Sequence, residues 1–195
     1  MLMHEYIDNE INEKREWASR RKSGHSNDRQ LLIITCMDER IPIYEALGIA
    51  TEEAHIFRNA GGIITDDVIR SAMLCVHFLD IREIIIINHT DCEMMAISGS
   101  TVVDALNQIG INTDDMQLNP ALPELILKDQ SEHVKQWIGM FENIDDTCEK
   151  QVALLQASEL IPNHIVINSY IWQVESSNLR RPYEKIVTDA DDNTQ

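Results

Sequence analysis

The stretch LLIITCMDER, residues 31–40, decides the fold of this chain and the place of its functional site. Its first five residues form an apolar run that predicts a strand buried on both faces. The run leads into a thiol, a carboxylate and a guanidinium group, carried by Cys36, Asp38 and Arg40. The same arrangement returns at residues 84–88, an isoleucine-rich run followed directly by His89, Thr90, Asp91 and Cys92. Each segment therefore places side chains that can bind zinc where a buried strand ends.

Strand-like runs alternate with helix-like runs along the chain, which is typical of an α/β fold with a mostly parallel sheet flanked by helices. The predicted strands cover residues 31–35, 55–58, 84–88 and 165–171. A turn at 176–178 and a further run at 183–187 predict an antiparallel edge strand. The sheet is therefore expected to be parallel except at one edge.

Helices are predicted between these strands from apolar residues spaced three and four apart. Thr65, followed by Asp66 and Asp67, predicts an N-cap and an acidic first turn for a helix that runs to about Leu79. Further helices are predicted at 93–109, directly after Cys92, and at 124–141 and 145–160, with a loop at 112–123. A charged helix at 5–22 would form an N-terminal helical arm.

Length and composition indicate one globular domain. With 195 residues, 44% of them apolar, the chain can bury one sizeable core. We interpret it as an N-terminal helical arm at 1–24, a zinc-binding domain at 25–188 and an acidic tail at 189–195. Four cysteines are too few for a disulfide framework.

The charge and hydropathy of the chain exclude several classes of partner. The 33 acidic residues outnumber the 16 basic ones, and the formal net charge of −17 repels phosphate backbones and anionic membrane surfaces. Residues 1–24 carry no apolar segment typical of a signal peptide, and no run approaches the roughly 20 apolar residues of a membrane span. We therefore expect a soluble, cytoplasmic protein that binds neither nucleic acid nor membranes.

Three residues are the predicted metal ligands. In an open parallel sheet, binding sites form beyond the carboxyl ends of the strands. Residues 36–40 and 89–92 both lie there. Cys36, His89 and Cys92 supply two thiolates and one imidazole, which leaves a tetrahedral zinc one open position for water or substrate. The remaining cysteines and histidines are interpreted as structural, namely Cys75, Cys148, His55, His77, His133 and His164.

These residues resemble the β-class carbonic anhydrases, whose signature is Cys-x-Asp-x-Arg followed downstream by His-x-x-Cys. Cys36, Asp38 and Arg40 match the first part and His89 and Cys92 the second. The turn at 58–62, Arg-Asn-Ala-Gly-Gly, is also similar to a turn of that family. The resemblance implies zinc held by the two cysteines and the histidine, with the aspartate and arginine as a catalytic pair. It also implies a homodimer or a dimer-based homo-oligomer.

Glu93 departs from the family pattern, because glycine usually follows the second cysteine there. A carboxylate at this position could stabilise a helix N-terminus through the helix dipole. It could instead crowd and charge the metal pocket. The first interpretation leaves the site open, and the second would impair catalysis more than metal binding.

The resemblance implies the reversible hydration of carbon dioxide to bicarbonate and a proton by zinc-bound hydroxide. Asp38, held by Arg40, would accept a hydrogen bond from that hydroxide, although it could also enter the fourth zinc position. Hydrolysis of carbonyl sulfide or carbon disulfide at the same site is an alternative, because the ligands cannot distinguish one linear, apolar substrate from another. A non-catalytic zinc protein and a redox dithiol formed by Cys36 and Cys92 are further alternatives. The sequence leaves the size of the oligomer and the proton shuttle open.

Overall fold

The computed structural model describes Asn27 and residues 29–113, 116–118, 126–127 and 137–184. The predicted N-terminal arm and the acidic tail lie outside these residues. In chain order the elements are β1 (Leu31–Cys36), α1 (Ile43–Leu47), β2 (Ala54–Asn59), a 3₁₀ turn (Ala60–Gly62), α2 (Asp66–Phe78), β3 (Glu83–His89), a second 3₁₀ turn (Glu93–Met95), α3 (Gly99–Gln108), β4 (Met116–Gln117), β5 (Ile126–Leu127), α4 (Ile144–Gln156), β6 (Val166–Gln173) and β7 (Asn178–Arg180).

Five of these strands form one sheet in the order β2-β1-β3-β6-β7. The first four run parallel, and β7 pairs antiparallel with β6. The predicted α/β fold, with a mostly parallel sheet and one antiparallel edge strand, is therefore confirmed. In the register of the sheet, Cys36 stands opposite Asn59 and His89 opposite Trp172, so the residues that end the strands share one edge.

The core lies on both faces of this sheet, as the uninterrupted apolar runs predict. All six residues of β1 are buried. One face packs against α2 and α4 through Ile34, Val68, Ile84 and Leu155. The other face carries a second cluster that includes the two cysteines of the predicted site, with Ile33, Ile41, Ile87, Met94 and Trp172 among its members. The site is therefore built into the core.

The predicted starts of α2 and α4 are confirmed. The Thr65 hydroxyl caps α2 by accepting from the Val68 amide, although at 3.4 Å the bond is long. Asn143 caps α4, and its side-chain oxygen accepts from the amides of Asp145 and Asp146 at 2.9 and 3.1 Å. The helix α4 ends at Gln156, four residues before the predicted end at residue 160.

Four predicted elements are wrong in part. The helix predicted at 93–109 is divided, because a 3₁₀ turn ends at Met95 and Ser98 caps a new helix at Gly99. Residues 126–127, predicted helical, pair antiparallel with 116–117, which were predicted to be loop. The edge strand occupies Asn178–Arg180. Tyr183 and Glu184, the described start of the range predicted for it, are not in a strand, and Tyr183 lies in a turn with a φ of +59°. A short turn after Gln173 brings the chain back to β6 earlier than the predicted strand at 183–187 indicated.

Candidate metal centre and active site

The three predicted ligands come together at the carboxyl edge of the sheet. Cys36 ends β1, His89 ends the neighbouring strand β3, and Cys92 follows three residues later. All three are buried, and their ligand atoms lie within 4.8 Å of one another. Among the described residues, these form the group of histidine, cysteine and acidic side chains that can hold a metal ion. The structure thus joins residues that are 53 positions apart in the chain.

The imidazole of His89 is oriented for metal binding. Its Nδ1 lies 2.9 Å from the main-chain oxygen of Thr90, which can only accept, so Nδ1 carries the proton. Nε2 is buried and has no hydrogen-bond partner. A buried nitrogen without a partner costs free energy unless something binds its lone pair. The free Nε2 next to two sulfurs fits a zinc ion.

The two thiols of the cluster shift each other's pKa in opposite directions. A hydrogen bond from Cys92 lowers the pKa of Cys36, and two main-chain contacts act in the same direction. The hydrogen bond to Cys36 raises the pKa of Cys92, and burial raises it further. A zinc ion bound here would take both sulfurs as thiolates, whose two negative charges match the charge of the dication. The donor set of two sulfurs and one imidazole nitrogen is one that zinc prefers.

Asp38 and Arg40 form a bidentate ion pair at the rim of the cluster. Nη2 of Arg40 donates to Oδ2 of Asp38 at 2.8 Å, and Nε contacts Oδ1 at 3.0 Å. The main-chain amide of Arg40 also donates to Oδ1 at 2.8 Å. The arginine lowers the pKa of the Asp38 carboxyl to about 2, so the carboxylate is ionised at neutral pH. Oδ2 lies 3.9 Å from Nε2 of His89, which places this carboxylate beside the metal ligands.

Arg58 fixes the loop that carries this pair. Its Nε donates to the carbonyl oxygen of Cys36 at 2.9 Å, and Nη2 donates to the carbonyls of Asp38 and Ile41 at 2.9 and 3.0 Å. The indole nitrogen of Trp172 donates to the carbonyl of Arg40 at 3.1 Å. The loop after β1 is therefore held by side chains from two other strands, β2 and β6.

The glycine turn predicted at 58–62 lies directly behind the Cys36 ligand. Gly62 has a φ of +62°, and a Cβ at this position would lie 2.7 Å from the amide nitrogen of Cys36. The buried amide of Asn88 donates to the carbonyls of Gly61 and Gly62 at 2.7 and 3.2 Å. Asn88 precedes His89 in β3. Its side chain therefore connects β3 to the glycine turn, which packs against the end of β1.

The structural interpretation of two remaining cysteines agrees with their surroundings. Cys148 is fully buried, and its Sγ lies 3.2 Å from the side-chain oxygen of Asn88. Burial raises the pKa of its thiol to about 12. Cys75 packs against the core, and burial raises its pKa as well. Neither residue belongs to the group that can hold a metal.

Glu93 stands outside the cluster. It is exposed and begins the second 3₁₀ turn, whose N-cap is Cys92. Its carboxylate is not part of the group that can hold a metal. This geometry fits the interpretation in which Glu93 supports the start of a helical turn and leaves the pocket open.

Asp91 is a site residue that the sequence reasoning missed. It lies between His89 and Cys92, and its Oδ2 accepts from Nη1 of Arg40 at 2.8 Å. Its main-chain oxygen accepts from Nη2 of the same arginine at 3.0 Å. One sequence feature could have identified it. Asp91 lies inside the His-Thr-Asp-Cys segment, and the predicted sheet brings that segment to the same edge as the segment that contains Arg40.

Comparisons with known proteins agree with this geometry. A carbon disulfide hydrolase of Acidithiobacillus thiooxidans is 45% identical over 188 residues, which cover 95% of this chain and 94% of that protein. Beta-carbonic anhydrase 1 of Mycobacterium tuberculosis is 36% identical over 114 residues, which cover 58% of this chain and 66% of that protein. The solved apo form of a carbon disulfide hydrolase superposes with a TM-score of 0.79 at 38% identity, covering 98% of this chain and 96% of that one.

The family assignment follows from the extent of the similarity. The family model described as carbonic anhydrase matches residues 31–175, from the first residue of β1 to just beyond the end of β6. That range contains both segments of the metal centre, and the family uses zinc. The chain therefore belongs to the carbonic anhydrase family, in its β class.

Proposed function

We propose that this protein hydrolyses carbon disulfide at a zinc ion held by Cys36, His89 and Cys92. The similarity to a carbon disulfide hydrolase, 45% identical over 95% of the chain, carries the proposal, because Beta-carbonic anhydrase 1 of Mycobacterium tuberculosis is 36% identical over 58% of the chain. Water adds to the carbon of carbon disulfide and hydrogen sulfide leaves, which gives carbonyl sulfide. A second water converts carbonyl sulfide into carbon dioxide and a second hydrogen sulfide.

The chain's own residues divide the chemistry between them. A zinc ion bound by the three ligands supplies the Lewis acidity that makes water a nucleophile near neutral pH. The ionised Asp38 accepts a hydrogen bond from the attacking water and so orients a lone pair towards the substrate carbon. Arg40 holds that carboxylate through a bidentate contact. We propose Asp38 and Arg40 as the catalytic pair on this basis.

The surroundings of the ligands suit a linear, apolar substrate. Cys36 and Cys92 belong to a buried apolar cluster with Met94 and Trp172. A substrate that carries no hydrogen-bond donor and little charge gains from such a surface, since burying it removes apolar area from water.

Hydration of carbon dioxide is the second candidate. It is favoured by the match of residues 31–175 to the carbonic anhydrase family and by the complete Cys-x-Asp-x-Arg and His-x-x-Cys segments. Carbon dioxide is also linear, and attack of water on its carbon requires the same ligands and the same carboxylate. The two reactions differ in the size of the substrate, and hydrogen sulfide leaves only in the hydrolysis, since hydration of carbon dioxide breaks off no group.

The test compares three substrates on one preparation. Zinc-loaded protein is assayed for sulfide release from carbon disulfide and from carbonyl sulfide, and for carbon dioxide hydration by stopped flow. We expect kcat/KM for carbon disulfide to exceed that for carbon dioxide, and Cys92→Ser to abolish sulfide release. Efficient carbon dioxide hydration with no sulfide release would establish the second candidate. Zinc binding without activity on any substrate would favour a non-catalytic protein.

The assembly and location of the protein remain proposals. We propose a homodimer or a dimer-based homo-oligomer, supported by the resemblance of the site segments to the β-class family. Light scattering coupled to gel filtration tests it, and a monomer at micromolar concentration would contradict it. No helix among the described residues has the length and apolarity needed to cross a membrane. The cytoplasmic location stays a prediction.

A further inference from the structure

Arg40 lies between two aspartates that contact different parts of its guanidinium group. Nε and Nη2 contact Asp38, while Nη1 donates to Oδ2 of Asp91 at 2.8 Å. Nη2 also donates to the main-chain oxygen of Asp91 at 3.0 Å. Four of the five N–H donors of the guanidinium are therefore used. The two aspartates use different hydrogens, so one contact does not displace the other.

The backbone of Asp91 explains how one residue makes two contacts with Arg40. Its φ of +53° lies in the left-handed region, where aspartate is tolerated better than most residues with a side chain. In this conformation both its carbonyl and its carboxylate face Arg40. The residue sits in the turn between two metal ligands, so the arginine is tied to the same turn as the metal centre.

We propose that Asp91 is a positioning residue that fixes the Arg40 guanidinium and thereby keeps Asp38 in its arginine-paired position. The effect on turnover rests on the proposed function, because Asp38 is the carboxylate that orients the attacking water there. The contact between Asp91 and Arg40 itself does not depend on the substrate.

The need for a second anchor follows from exposure and distance. The Arg40 side chain is 38% exposed, and an isolated ion pair at such a position holds a long side chain only weakly. Oδ2 of Asp38 lies 3.9 Å from Nε2 of His89, so a small rotation would bring the carboxylate to the ligand nitrogen. A guanidinium held at both ends cannot turn away from Asp38. Asp91 itself is 72% exposed, so its role lies in orientation more than in global stability.

The chain offers a matched control in Asp80. It also has a left-handed backbone, with a φ of +57°, and its Oδ1 pairs with Nη2 of Arg82 at 2.6 Å. Its side chain is 64% exposed, close to the exposure of Asp91. Asp80 precedes the amino end of β3, whereas Asp91 follows the carboxyl end. Asp80→Asn therefore removes a similar ion pair at the opposite end of the same strand.

The kinetic test uses Asp91→Asn and Asp91→Gly in the zinc-loaded protein. Both substitutions tolerate the left-handed backbone and remove the carboxylate. We expect kcat for sulfide release to fall about tenfold, as is typical for residues that orient groups around a metal. KM and zinc content should stay at the wild-type values, and Asp80→Asn should change none of the three. A raised KM with unchanged kcat would overturn the proposal, because it would indicate a contact with substrate.

A double-mutant cycle tests whether Asp91 acts through Arg40. In an Arg40→Ala background, adding Asp91→Asn should lower kcat by less than twofold, because the contact is already lost. An additive, tenfold further loss would show that Asp91 acts independently of the arginine and would overturn the proposal.

A readout without turnover separates this proposal from the proposed function. Hydrogen exchange of the Arg40 Nε–H, followed by nitrogen-15 NMR in metal-free and zinc-loaded protein, should become about tenfold faster in Asp91→Asn and stay unchanged in Asp80→Asn. If the wild-type protein hydrolyses no substrate but this acceleration is seen, the proposed function fails and the positioning role stands. An exchange rate that does not change would overturn the positioning role whatever the activity.

Discussion

Oδ2 of Asp38 lies 3.9 Å from Nε2 of His89 while it accepts a 2.8 Å hydrogen bond from Nη2 of Arg40. One carboxylate oxygen thus stands between a metal ligand and a cation. Two thiolates already match the charge of a zinc ion, so a third anionic ligand is disfavoured as long as the arginine holds Asp38. In the proposed mechanism, metal binding and catalysis would therefore depend on different side chains, which substitution can separate.

Arg40→Ala should lower kcat/KM for sulfide release about 10- to 100-fold while the protein retains one zinc per chain, because the substitution frees Asp38 and leaves the three ligands intact. Steady-state kinetics and metal analysis of the same preparation check this. Arg70→Ala is the control, since Arg70 forms an exposed ion pair with Asp67 on α2. Full activity of Arg40→Ala would eliminate the arginine from the mechanism.

Removal of the metal should destabilise the protein. Zinc binds the folded arrangement of Cys36, His89 and Cys92 and raises the free energy of unfolding in proportion to the logarithm of its free concentration. Thermal unfolding with and without a chelator should show a lower Tm for the stripped protein, and His89→Ala should remove this difference. The same Tm before and after chelation would mean that the cluster does not hold zinc in the folded protein.

Gly62→Ala should destabilise the fold by about 3 kcal/mol, because the new Cβ would meet the Cys36 backbone in a strained left-handed conformation. Gly48→Ala provides the matched control. Its φ of +61° is nearly the same as that of Gly62, but no atom lies within 4 Å of an added Cβ. Gly48→Ala should cost only about 1 kcal/mol in urea unfolding. Equal losses for the two variants would refute the close packing of the turn against Cys36.

The parts that could be predicted from sequence are those in which a local pattern decides the outcome. The apolar runs of β1 and β3 can be buried only inside a sheet, so their ends, with Cys36 and His89, were placed correctly. The helix start at Thr65 was also predicted correctly, because an N-cap depends only on residues close to it in the sequence.

The parts that could not be predicted depend on contacts between distant segments or on turn geometry. Asp91 reaches Arg40 across 51 positions and only in a left-handed backbone, which no local pattern reveals. The pairing of residues 116–117 with 126–127 overrides the helical preference of the second segment. The break before Gly99 arises because Ser98 caps a new helix, and this signal was hidden inside a longer periodic run.

Asp145 should stabilise the fold in a pH-dependent way. Its carboxylate accepts from both terminal nitrogens of Arg180, at 2.5 and 3.1 Å, and from the amide of Tyr183 at 2.6 Å, so the arginine lowers the pKa of Asp145 on folding. A carboxyl with a lowered folded pKa stabilises fully above its unfolded pKa of about 3.9 and loses that stabilisation as the pH falls through the folded pKa. Asp145→Asn should therefore cost about 2 kcal/mol at pH 7, since hydrogen bonds to a charged group are lost. In urea unfolding the difference from wild type should narrow steadily below pH 4. A difference that stays constant down to pH 3, or widens there, would show that Asp145 acts through packing and not through its charge.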